Sequence, residues 1–208
     1  MKKFVAAIAV LSTSIFTLQA QTEKGTALIG GHFNFSSDKT GSMSEYKTHS
    51  YKFSPKAGYF IGDNFAIGTN LSVGYSQTKQ QNVPNNKNTN LSFGVAPFAR
   101  YYLTITERFR FFTEFEVSWN TNKLKGSQNP DFAREQYERR QDYGANLQPG
   151  LAFFPTKKWA IEMSFPFVGY SKSVTKPVGY PDTRKFTNDH VNFGLSTLNP
   201  LIGVNYHF

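Results

Sequence analysis

The chain has 208 residues, with 23 Lys and Arg against 14 Asp and Glu, a formal charge of +9, and a mean hydropathy of −0.44. It has no Cys, which excludes disulfide staples, thiol catalysis and cysteine-held metal. Beyond the first residues no stretch is long and apolar enough for a membrane helix, although Phe (21) and Tyr (11) are abundant.

The N-terminus reads as an export signal. Lys2 and Lys3 are followed by an uncharged apolar stretch from Phe4 to Leu18, and Leu18-Gln19-Ala20 sets a small residue at the cleavage position. That stretch falls short of the ~20 residues a spanning helix needs, so cleavage after Ala20 is expected, leaving Gln21 first. Residues 1–20 are then signal peptide, 21–25 a short flexible leader, and 26–208 one domain. Losing Lys2 and Lys3 lowers the formal charge to +7.

After Thr26 the dominant signal is alternation with a period of two. The first strand is the weakest, with Ile29, Gly31, Phe33 and Phe35 on one face. Next, Tyr51, Phe53, Pro55, Ala57, Tyr59 and Ile61 share a face. In the third, Phe65, Ile67, Thr69, Leu71, Val73 and Tyr75 alternate with small and polar residues. The fourth carries Leu91, Phe93, Val95, Pro97, Ala99, Tyr101 and Leu103 on one side, and the fifth Phe109, Phe111, Thr113, Phe115, Val117 and Trp119. Tyr143 to Phe153 and Trp159 to Phe167 follow in the same manner. A narrow wet interior explains why the second face is small and polar.

The last strand changes phase. Val191, Phe193 and Leu195 are at odd positions, whereas Leu198, Ile202, Val204, Tyr206 and Phe208 are at even ones. A one-residue slip would reverse every side chain, so an irregularity is expected between Leu195 and Pro200. Pro55, Pro97, Pro149 and Pro166 should likewise mark bulges or poorly paired positions.

Connections alternate in length. Gly62-Asp63-Asn64, Thr104 to Arg108 and Pro155 to Lys158 are short turns. Asp38 to Thr48, Lys79 to Asn88, Asn120 to Gln141 and Lys172 to Asp189 are longer polar loops. The region Phe132 to Asp142 reads as a charged, solvated loop. Short turns on one side and long loops on the other predict an all-β, eight-stranded, antiparallel, up-and-down transmembrane β-barrel.

The chain closes on Val204-Asn205-Tyr206-His207-Phe208, alternating up to a terminal Phe. This resembles the C-terminal signal of outer-membrane barrels, and with the export signal and the alternation the chain resembles the OmpA/OmpX-like outer membrane protein beta-barrel domain family. The resemblance implies residence in the outer membrane, contact with its lipid and lipopolysaccharide, and recognition of Val204, Tyr206 and Phe208 by the barrel assembly machinery. The chain stops at the barrel, so no cell-wall tether is implied.

Parity sends Lys52, Lys56, Arg100 and Arg110 to the same inner face as Glu114, Glu116 and Glu162. Charges withdrawn from water need partners, so these seven should form a lumen network that plugs a narrow interior. Its functional counterpart would be a gate on a small solute or ion channel, porin-like in kind. A lipid-modifying enzyme is a third reading, and the residues disfavour it. His190-Val191-Asn192 has Asn where a nucleophilic Ser would stand, and His49 and Ser50 are adjacent on a strand and so face apart. No catalytic residue, metal site or cofactor is assigned.

Basic residues gather near the outer rim: Lys123, Lys125, Arg134, Arg139, Arg140, Lys172, Lys176, Arg184 and Lys185. Lys172, Lys176 and Lys185 are candidates for contact with lipopolysaccharide phosphates. Nucleic acid is not an expected partner, because no stacking motif accompanies these charges. The leading expectation is a structural or interaction scaffold carrying external loops, with the external ligand unknown.

Overall fold

A computed structural model describes residues 22–41, 45–80, 87–127, 136–177, 185–194 and 201–208. Ten strand segments appear: β1 (Ala27–Thr40), β2 (Tyr46–Gly62), β3 (Phe65–Gln80), β4 (Lys87–Thr104), β5 (Phe109–Ser127), β6 (Gln136–Phe153), β7 (Trp159–Ser164), β8 (Val168–Pro177), β9 (Phe186–Phe193) and β10 (Leu201–His207). All pairings are antiparallel, running β1 to β6 in chain order. β7 and β8 both pair with β6 and form one broken strand; β9 and β10 form the next. β10 returns to β1 through Leu28↔His207 to Gly31↔Val204, and the sheet closes as an eight-stranded barrel.

The break between β7 and β8 centres on Pro166. Pro166 cannot donate to the ladder, and around it Phe165 N and Phe167 N donate instead to Pro149 O and Leu147 O. The register of β6 against this strand slips by one residue between Gly150↔Ser164 and Leu147↔Val168. In the neighbouring strand Gly194 has φ +143°, and the expected irregularity from Leu195 to Pro200 lies outside the described residues. Pro55 and Pro97 make no bulge. The β2–β3 and β4–β5 registers continue unbroken across them, with ladder partners missing only locally.

Two expectations are corrected. The long polar segments are largely strand: β1 continues to Thr40, β2 starts at Tyr46, β5 reaches Ser127, β6 starts at Gln136 and β9 at Phe186. Much of Phe132 to Asp142 therefore belongs to β6, with 132–135 outside the described residues. Polar strands remain paired above the membrane because their neighbours do, and at 19 residues β5 far exceeds the 9–11 a membrane strand needs. The leader is not loose either. Thr22 is 2% exposed, Asn64 N donates to Thr22 O, and Gly25 N donates to Phe60 O.

Burial is inverted relative to a water-soluble sandwich. Outward residues such as Phe33, Phe53, Tyr59, Phe93, Phe115 and Ile161 are exposed, while the core lies inside at the short-turn end. There Leu28, Phe60, Tyr102, Phe112 and Phe154 fill the lumen together with Ala66, Ala152 and Ala160. Phe60, Tyr102, Phe112, Phe154 and His207 pack ring against ring at centroid distances of 5.3–5.8 Å.

Candidate functional site: the ion-paired lumen

Above the aromatic layer the even positions of β2, β4 and β5 and Glu162 of β7 converge. Glu114 is fully buried and accepts from Lys56 Nζ at 2.8 and 3.0 Å, Arg100 Nε at 2.7 Å and Gln148 Nε2 at 2.9 Å. Arg100 Nη1 donates to Glu162 at 2.6 and 2.7 Å and to Tyr102 Oη at 2.7 Å, and Tyr102 Oη donates to Glu162 at 2.9 Å. The Arg100 guanidinium lies 4.1 Å from the Phe112 ring centroid, so the charged layer sits directly on the aromatic one. Two cations and two carboxylates thus satisfy one another in a buried layer.

Of the seven residues assigned to this network, the structure brings Lys56, Arg100, Glu114 and Glu162 together. Arg110 is separate: it points to the leader and donates to Thr22 Oγ1 and, at 3.0 Å, to Asn64 Oδ1. Glu116 sits higher and accepts from Asn70 Nδ2 at 2.5 Å, and Lys52 lines the cavity above the layer. Tyr102, Gln148 and Asn70 were overlooked among the residues that complete the site. Their even numbering, shared with Arg100, Glu114 and Glu116, is the sequence signal that could have found them.

The C-terminal signature lies on the closing strand. Val204 and Tyr206 pair with Ile161 and Trp159, the Tyr206 and Trp159 rings are 5.0 Å apart, and Phe208 N donates to Ala27 O at 2.9 Å. At the opposite end Lys172, Lys176 and Lys185 are exposed, with Lys172 across from Tyr143 and Asp189. The strand register reveals more cations on this outward face. Lys39, Lys47, Lys79 and Lys87 stand directly opposite one another across four strands, and Lys123, Arg139 and Lys176 across three. Lys39 also reaches Glu45 at 2.7 Å.

An antiparallel sheet closed on itself, apolar outside and polar within, is the architecture of a transmembrane β-barrel, in which no backbone edge need meet lipid. The family described as "Outer membrane protein beta-barrel domain" matches residues 4–208, and the chain belongs to that family, whose members reside in the outer membrane. The crystal structure of the outer membrane protein OprG from Pseudomonas aeruginosa superposes with a TM-score of 0.56 at 14% identity, covering 91% of this chain and 99% of that one. The N-terminal β-barrel domain of Pseudomonas aeruginosa OprF gives 0.42 at 13%, covering 89% and 98%. Neisserial surface protein A gives 0.37 at 18%, covering 88% and 96%. No curated protein matches the chain.

Proposed function

We propose that this protein is a closed-lumen scaffold of the outer membrane, held in the outer leaflet by an outward collar of basic residues and presenting its projecting polar wall and loops for surface contacts. The observation that carries the reading is the two-layer seal. The Lys56–Glu114–Arg100–Glu162 network rests on a layer of buried aromatics, so paired charges and packed rings fill the lumen towards the short-turn end. A rigid, blocked barrel is suited to mounting recognition elements rather than to passing solutes. The collar supports the anchoring half of the reading. Like charges opposite one another destabilise a sheet in isolation, so the Lys39–Lys47–Lys79–Lys87 row fits a polyanionic neighbour such as the phosphates of lipopolysaccharide.

Planar-bilayer recording tests the seal. The refolded barrel should stay silent across the voltage range, and stepwise conductance of the unaltered protein would replace the scaffold with a solute or ion channel.

A further inference from the structure

We propose that the cavity resting on the ion-paired layer is a cup that binds a small neutral polyol, a monosaccharide or an acyclic sugar alcohol. It measures about 500 Å³, a size typical of small-ligand sites. Lys56, Glu114 and Glu162 of the layer form its floor, and inner-face side chains of β1 to β7 contribute its wall. The cup goes beyond the scaffold reading and does not need it, because a barrel that conducted would still carry these groups.

Short amides and hydroxyls dominate the wall. Asn34, Ser72, Ser118, Asn120, Asn146 and Gln148 all line the cavity. Such side chains donate and accept hydrogen bonds, as the hydroxyls of a polyol do. Two inward glycines make room for them. Ser72 and Asn120 stand opposite Gly94 on its two neighbouring strands, and Ser72 Oγ donates to Asn120 Oδ1 across it at 3.3 Å. A Cβ on Gly94 would collide with both of those atoms. Gly169 repeats the arrangement between Asn146 and Asn192, whose Oδ1 atoms would each lie 2.5 Å from an added Cβ. The amides therefore lie back over bare backbone and leave the cup its volume.

Two neutral groups remain for a ligand. Ser54 and Asn70 line the cavity and are only 2% and 7% exposed, yet Ser54 Oγ and Asn70 Oδ1 have no hydrogen-bond partner among the described residues. Buried polar atoms are normally satisfied. Asn70 faces Lys56 across the β2–β3 ladder, which makes it a diagonal neighbour of Ser54, so one small molecule can reach both. One hydroxyl can donate to the amide oxygen while another exchanges a hydrogen bond with the serine. The surrounding charges select against ions. Lys56, Arg100, Glu114 and Glu162 are spent on one another, and Lys52 and Glu116 add one charge of each sign.

The probe is D-glucitol, titrated onto the complete folded barrel in phospholipid nanodiscs and followed by saturation-transfer difference NMR. The transferred signal should saturate. Ser54→Ala removes a hydroxyl that holds no hydrogen bond, so the ligand-free barrel should be as stable as before or more so. Its Kd for glucitol should nevertheless rise about tenfold, the usual worth of one buried hydrogen bond. Gly94→Ala, which drives Asn120 into the cup, should abolish the saturable signal, with heat-modifiable gel migration verifying that each variant is folded. A signal that never saturates, or an unchanged Kd in both variants, would overturn the site. D-gluconate or D-glucosamine bound as tightly as glucitol would overturn the assignment of a neutral ligand.

Discussion

Glu114→Ala should be among the most damaging single substitutions in the barrel. Lys56 Nζ donates to both carboxylate oxygens of Glu114, whereas Arg100 keeps Glu162 and Tyr102. The substitution therefore leaves Lys56, 9% exposed, as the uncompensated charge. Breaking one buried pair costs about 3–5 kcal/mol. Because Lys56 also borders the cavity and can borrow water there, a loss of about 3 kcal/mol is expected. Removing both charges in Lys56→Met with Glu114→Gln should recover about 2 kcal/mol of that loss, since a well-filled neutral pair can replace a buried ion pair at little net cost. Urea unfolding of the barrel in lipid vesicles, followed by the fluorescence of Trp119 and Trp159, measures both. A single-variant loss below about 1 kcal/mol, or a double variant no more stable than Glu114→Ala, would refute the reasoning.

The basic collar makes a two-sided prediction. Lys79→Glu, set between Lys47 and Lys87, should stabilise the barrel in plain detergent by about 0.2–1 kcal/mol through relief of like-charge opposition. The triple change Lys47→Glu, Lys79→Glu and Lys87→Glu should reduce lipopolysaccharide retained on purification, and unchanged retention would remove the collar from the proposed anchor. Charge reversal of Lys172, Lys176 and Lys185 probes the other side of the rim by the same assay. Thr22→Val removes an acceptor of Arg110 and the hydroxyl that donates to Asn64 at 2.6 Å; vesicle unfolding should show a loss of about 1–2 kcal/mol. Phe208→Ala should slow assembly into the outer membrane while leaving the stability of already folded barrel nearly unchanged, measured by pulse-chase against heat-modifiable migration.

The alternation of Phe65 to Tyr75 or Phe109 to Trp119 is a local property, fixed by which neighbours face hydrocarbon, and it declares the outward face of each strand without tertiary knowledge. The same parity picks out the inner charges, because a charged side chain at those positions has nowhere else to go. Pro166 is equally local, and it announces the break between β7 and β8. The ends of the strands are different. Lys39, Lys47, Lys79 and Lys87 read as loop because polar alternation carries no hydrophobic contrast, and only the ladder, continued by pairing with neighbours, makes them strand and lines them up. Tertiary closure likewise decides which inner charges meet. Strand register sets Lys56, Arg100, Glu114 and Glu162 at one height and sends Arg110 to the leader, and register depends on the closure of the whole barrel. Composition and period thus determine the faces of this protein, while the heights at which its side chains meet exist only once the sheet is closed.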